Sequence, residues 1–393
     1  MCYAIPGKVV GIDKGTITID YFGEKKKARN EFYELTNGDY VYAQGGFIIQ
    51  KISEREALPV LDTWKELFFK LQEVDFALAR EAKGLYQRAN NLRQRHHGNS
   101  CCVHGIIEFS NYCRCDCLYC GIRKSNEALT RYRLNEDEVV DAADYAVNKL
   151  GFKALVFQSG EDYWYDEARL TRIVAETRKR APCLIMLSIG ERAIGLYESL
   201  YKAGARGILL RFETSSPQVY KKMKPSHELN NRIGLIKKLR GIGYLVMTGF
   251  LIGLPGQTEE GIINDINLTN SLGADMFSFG PFIPHPETPL GYVSSPSIET
   301  VLETIANARI MNPEAQILVN TSFETLDPKN ALRLGLMAGA NSLMINVTPA
   351  KYKDLYDIYP NRAGLDLDIK KRINSILETL RSIGRAPTDL GLS

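Results

Sequence analysis

From Gly105 to the C-terminus, this 393-residue chain alternates short apolar or β-branched runs with amphipathic stretches. Candidate strands cover 105–110, 154–159, 183–189, 207–212, 245–252, 275–282, 316–321 and 342–347. Helical periodicity fills the intervals, as from Asn135 to Leu150 and from Asn230 to Gly241. Eight strands, each followed by a helical segment within about 290 residues, predict a (β/α)8 TIM barrel. A doubly wound open sheet is the competing α/β architecture, and the count of eight argues against it. In a TIM barrel the chemistry sits at the C-terminal ends of the strands.

The first residues follow a different pattern. Lys8–Ile12, Thr16–Tyr21 and Asp39–Ala43 are short strand-like runs separated by turn residues. They predict a small OB-like β-barrel over residues 1–58. Lys25-Lys26-Lys27 reads as a solvated turn. Leu61, Trp64, Leu67, Phe68 and Leu71 recur at helical spacing and predict a packed helical linker over 59–100, leaving 101–393 for the large barrel. A net charge of +3 offers no electrostatic case for nucleic acid, and no apolar run is long enough to span a membrane. Eight cysteines without a secretory signal predict a reducing cytoplasm.

The first large-barrel strand leads straight into Cys113, Cys117 and Cys120, a C-x3-C-x2-C loop. Three thiolates on one loop hold three irons of a [4Fe–4S] cluster and leave the fourth iron open, where chemistry can occur. The spacing resembles that of radical S-adenosylmethionine (SAM) enzymes, whose open iron chelates SAM. A structural zinc site normally takes four ligands, often in paired C-x2-C units, and here would have to recruit Cys115 from the same tight loop. A disulfide framework fits poorly with clustered cysteines in a long chain.

Other strand ends carry candidate groups. Gly160, after the second strand, admits close approach of a ligand or forms a simple turn. Arg211 and Glu213 share one face of the fourth strand and either bind a ligand or pair with each other. Arg232, early in the next helix, is a carboxylate clamp or a surface charge. The glycines and proline of Gly253-Leu254-Pro255-Gly256 suit contact with an adenine ring. His285 is an acid, base or ligand, or a structural loop histidine. Asn320-Thr321-Ser322 ends the seventh strand and Asn346 the eighth. Tyr352, Tyr356 and Tyr359 follow at a spacing expected to share one helix face.

Two family resemblances rest on these residues. From Ile106 onward the chain resembles HydE, the radical SAM maturase of FeFe-hydrogenase. The match runs through Ile106–Asn111, Cys113–Arg123, Gln158–Asp162, Arg211–Thr214, Gly253–Thr258 and Gly280–Pro286. Biotin synthase and methylornithine synthase are more distant matches. The resemblance implies a [4Fe–4S] cluster on Cys113, Cys117 and Cys120. It assigns SAM contacts to Tyr119, Gly160, Arg211, Glu213 and Arg232, and a substrate-facing set to Asn320, Thr321, Asn346 and His285. It also implies an iron carbonyl–cyanide substrate carried on cysteine, a ferredoxin- or flavodoxin-type electron donor, and other hydrogenase maturation proteins as partners. No cysteine follows Cys183, so a second cluster near the C-terminus is not expected.

The N-terminal run Met1–Val10, with Gly38–Val41 and Gly46-Phe47, resembles the hydrogenase chaperone HypC. There Cys2, exposed as the N-terminal residue once Met1 is removed, would hold an iron carbonyl–cyanide unit. Gln44 stands where that family usually carries histidine. Three functions follow: a radical SAM metallocofactor maturase, a radical SAM enzyme acting on an ordinary amino acid, or a non-enzymatic scaffold for iron units. Cys101 and Cys102 match nothing in either family's pattern, and neither resemblance gives Cys115 a role.

Overall fold

The computed structural model describes residues 5–80, 83–365 and 367–387. Two closed barrels share one chain. The small one contains β1 (Gly7–Asp13), β2 (Thr16–Tyr21), β3 (Glu24–Arg29), β4 (Tyr40–Gln44) and β5 (Phe47–Ile52), in the order β1-β2-β3-β5-β4. The expected turn at Lys25–Lys27 is instead part of β3, which pairs with β2 along its whole length. Only Ala28 of β3 is buried, so its charged outer face hides the period-2 signal of a strand.

Helix α1 (Glu54–Ala79) begins earlier than the sequence boundary near residue 58, because Ser53 and Glu56 form a reciprocal capping box. Trp64, Phe68 and Leu71 of α1 pack into the small-barrel core with Ile5, Val9, Ile17, Ile19, Val41 and Ile48. Helix α2 (Leu85–His97) continues the linker. Asp75 of α1 bonds to Arg93 of α2 at 2.7 and 2.8 Å and to Arg385, near the other end of the chain, at 2.9 Å. All three are fully buried, so this ion network ties the linker to the C-terminal segment.

The large barrel is an eight-stranded parallel ring of β6 (Cys102–Ser110), β7 (Ala154–Ser159), β8 (Leu184–Ser188), β9 (Gly207–Leu209), β10 (Leu245–Thr248), β12 (Met276–Phe277), β14 (Gln316–Val319) and β15 (Ser342–Asn346). Beyond β10 and β12, the chain breaks and re-pairs as β11 (Leu251–Ile252) with β13 (Gly280–Pro281). The expected long strands 245–252 and 275–282 are therefore each split in two. At the break, Gly249 lies so near Ser278 that an added Cβ would stand 2.3 Å from its carbonyl oxygen.

The small barrel closes the base of the large one, the end where the strands begin. The Gly45-Gly46 turn between β4 and β5 needs left-handed backbone at both residues (φ 54° and 75°). A Cβ at Gly45 would collide with Leu184 and Leu245, the first residues of β8 and β10. Tyr42, Phe47 and Ile49 pack there on Ile106, Ala154, Val156, Met186, Met247, Met276, Leu318 and Met344 from the barrel interior. Arg206 pairs with Glu31 at 2.7 Å and stacks on Phe32 at 4.4 Å, fixing the junction from outside. Among the described residues, no helix is long and apolar enough to cross a membrane.

Candidate active site

At the opposite end a cavity of about 270 Å³ opens among the C-terminal strand ends. Cys113, Cys117 and Cys120 line it, on the loop leaving β6. The loop is held by groups that give it one shape. Arg131 donates to the carbonyls of Asn111 (2.6 Å), Ile122 (2.9 Å) and Arg123 (2.6 Å). Arg123 pairs with Asp116 at 2.7 Å and holds its carboxyl down at about 2. Asn126 donates to the Gly121 carbonyl at 2.7 Å.

The thiols are prepared for ionisation unequally. Cys113 is lowered, first by a hydrogen bond from Cys115, then by the main-chain N–H groups of Cys115 and Glu161, each 3.4 Å from its sulfur. Cys117 is lowered to about 5, again first by Cys115, with the Lys224 ammonium 3.3 Å away adding to it. Burial pushes the Cys120 thiol up. A bound metal ion overrides that cost by taking the thiolate directly. Cys115, the donor to both neighbours, is itself pushed up, and its sulfur lies 3.5 Å from His227 Nε2.

Gly160 follows β7 directly behind the loop. An added Cβ there would stand 2.2 Å from the Tyr112 carbonyl and 2.8 Å from Cys113 Cβ, so only glycine lets β7 and the loop meet. Tyr119, Arg211, Glu213 and Arg232 also line the cavity. Glu213 adopts left-handed backbone (φ 69°), a strained conformation for a residue with a side chain. Its Oε2 is buried without a hydrogen bond and is 3.5 Å from Arg211 Nε. Arg232 is buried, with Nε 2.8 Å from Glu191 Oε1 but no aligned hydrogen bond between them. A carboxylate oxygen without a hydrogen bond on Glu213 and a buried guanidinium on Arg232, both lining one cavity, suit the ammonium, carboxylate and ribose hydroxyls of SAM. Three loop thiols and these groups fit a [4Fe–4S] cluster with SAM.

The expected substrate residues divide. Asn320, Thr321 and Asn346 line the cavity. Asn320 also caps the short helix that follows it, accepting from Ser322 N–H at 3.0 Å, and Thr321 bonds to Tyr359 at 2.9 Å. Asn346 donates to Glu108 at 2.8 Å. His285 is not among the lining residues. Its Nε2 meets Asp357 at 2.9 Å and its ring packs behind the loop against Gly121, where a Cβ would stand 2.5 Å from the ring. The three tyrosines do not share a helix face, since that helix spans only Ala350–Lys353. Tyr352 stacks on Tyr132, while Tyr356 and Tyr359 reach the cavity from the loop beyond.

Sequence reasoning missed a second charged set. Glu108 is fully buried, bonded to Arg362, with Arg362 also held by the Tyr356 carbonyl at 2.6 Å. Lys224, Arg211, Arg232, Arg362 and Arg372 line the cavity against three carboxylates, Glu108, Glu161 and Glu213. Just outside the lining, Glu191 pairs with Arg232 and Glu324 with Arg372, so most of these cations are already matched and Arg211 is left with the looser contact to Glu213 at 3.5 Å. Cys2, the expected ligand in the small barrel, lies outside the described residues. Gln44 is buried, and its Nε2 has no hydrogen bond.

Comparison with known proteins agrees with this geometry. Residues 107–269 match the Radical SAM superfamily, 278–384 the Biotin and Thiamin Synthesis associated domain, and 1–64 the HupF/HypC family. The barrel and its thiol loop are thus those of a radical SAM enzyme. The chain is 35% identical over 336 residues to the [FeFe] hydrogenase maturase subunit HydE of Thermotoga maritima, covering 83% of this chain and 96% of that one. It is 27% identical to 3-methylornithine synthase of Methanosarcina acetivorans, over 78% of this chain and 86% of that one. The crystal structure of methylornithine synthase (PylB) superposes with a TM-score of 0.69 at 25% identity, over 82% of this chain and 97% of that one. The chain belongs to the HydE family of radical SAM enzymes and carries a HupF/HypC-family domain at its N-terminus.

Proposed function

We propose that this chain acts on an iron carbonyl–cyanide complex carried on cysteine, as a step in hydrogenase or related metallocofactor maturation. The observation that carries this reading is the union, in one chain, of a HydE-type barrel with a HupF/HypC-family domain. Arg211 on the cavity wall supports it, since cyanide ligands and the cysteine carboxylate make such a complex anionic and would compete for its guanidinium. The cluster with SAM supplies one-electron cleavage to a 5′-deoxyadenosyl radical. Around it, Glu213 and Arg232 orient SAM, Arg211 and Arg362 face the anionic end of the substrate, and Asn320 and Thr321 offer it polar contacts. In the small barrel, Cys2 would hold an iron unit.

The test is SAM cleavage under anaerobic reduction, measured as 5′-deoxyadenosine. Release that depends on a synthetic iron carbonyl–cyanide–cysteine complex supports the reading. A second reading, a radical SAM enzyme rearranging an ordinary amino acid, is favoured by the similarity to 3-methylornithine synthase. It predicts turnover with amino acids alone and full activity in Cys2→Ala. A non-enzymatic scaffold predicts no cleavage under any condition.

A further inference from the structure

The cluster loop is exposed at Tyr112 and Arg114. Arg114, between ligands Cys113 and Cys117, is exposed and lies over the ring of Tyr163 at 4.6 Å. Arg192 lies over the same ring at 4.3 Å. Arg133 stacks on Tyr112 at 3.7 Å and reaches Trp164 at 5.4 Å. Three large aromatic side chains are therefore held on the surface: Tyr112 is 37% exposed, Trp164 39% and Tyr163 51%.

The nearby acids are already spent. Asp162 pairs with Arg133 at 2.6 Å, and Asp116 with Arg123. Arg192 donates only to the carbonyls of Asp162 and Tyr165, and among the described residues neither it nor Arg114 has a carboxylate partner. The patch also lies one residue from a cluster ligand. Tyr112 precedes Cys113, and Tyr163 is two residues past Glu161, whose N–H touches the Cys113 sulfur at 3.4 Å.

We infer that this patch is the docking surface for a small acidic one-electron carrier protein, which reduces the cluster through the Tyr112–Cys115 edge. The inference rests on the radical SAM chemistry of the site and is independent of which substrate it takes. A cluster of this class must gain one electron from outside, and the carrier's redox centre loses one in exchange, with no proton or bond change. Arginine and exposed aromatic side chains are the residues that anchor protein interfaces. Unneutralised cations beside the electron's entry point steer an anionic partner to it and speed encounter.

The experiment uses the holoenzyme without substrate and follows bleaching of the oxidised cluster on mixing with a reduced, acidic two-cluster ferredoxin. The wild-type rate is expected to fall steeply as salt rises from about 0.05 to 0.5 M, as screening of steered association requires. The double variant R114E/R192E is expected to lose roughly ten- to a hundredfold in that rate. Reduction by the methyl viologen radical, a small cation, should stay at or above the wild-type rate. A wild-type rate indifferent to salt, equal ferredoxin rates in the two proteins, or parallel losses with both reductants would each overturn the inference.

Discussion

The mouth and the base of the large barrel are built from the same eight strands and filled by opposite kinds of residue. At the mouth, inward positions carry Glu108, Gln158, Arg211, Asn320 and Asn346 around an open cavity. At the base, the same strands turn Ala154, Leu184, Leu245 and four methionines inward, and Tyr42, Phe47 and Ile49 of the small barrel seal them. Charge and backbone strain gather at the mouth, as at Glu213 and Arg232. Apolar packing gathers where nothing needs to move. A further lesson concerns the fusion. The described residues of the HupF/HypC-family domain sit at the end away from the thiol loop, and none of them lines the cavity.

The sharpest way to break this contrast is at the loop. Cys117→Ala removes a ligand and should abolish cluster assembly and 5′-deoxyadenosine release, read by iron content and chromatography, while the thermal midpoint of the metal-free protein moves little. Retained cleavage would remove the mouth from the chemistry. Phe47→Ala should do the reverse. Emptying its place at the base should cost about 3–5 kcal/mol in denaturant unfolding. SAM cleavage per folded molecule should stay near wild type, and a large loss there would show that the base takes part in the reaction.

His104 sharpens the comparison from within the base. It pairs with Met344 across β6 and β15, on the inward face shared with Ile106, and its Nδ1 has no partner. Burial lowers it from 6.5 to about 4. Below pH 6.5 the unfolded chain takes up a proton that the fold refuses until about pH 4. Stability from this residue is therefore complete above pH 6.5 and falls by roughly 3 kcal/mol on acidification to pH 4. His104→Leu should flatten that part of the profile, and an unchanged profile would mean that the imidazole is hydrated.

The smallest effect is expected from Glu213→Gln, which keeps the shape and removes the charge. Loss of one charge-assisted contact of about 1.5–3 kcal/mol weakens SAM binding roughly ten- to a hundredfold. Isothermal titration on the reconstituted protein reads it, and unchanged affinity would free Glu213 from that role.

Much of the mouth was legible because its signals are local. The thiols sit within eight residues, Gly160 lies at a strand end, and Arg211 and Glu213 are two apart on one strand face. What escaped depends on distant pairing. Glu108 and Arg362 are separated by 254 positions, and neither announces the other. His285 lies four residues beyond β13, and alternation cannot tell which way a residue between two prolines turns. Strand β3 was hidden by its lysines, whose exposed face carries no apolar period. The base seal gathers Tyr42 and Met344 into one apolar cluster, which exists only when both barrels close.

The central claim is that the mouth is a radical SAM centre for an organometallic guest. The most direct test is anaerobic 5′-deoxyadenosine release from the reconstituted, reduced protein, with and without an iron carbonyl–cyanide–cysteine complex. Stimulation by the complex, and none by free ornithine, lysine or cysteine, is the predicted result. Release driven equally well by a free amino acid, with no response to the complex, would contradict it.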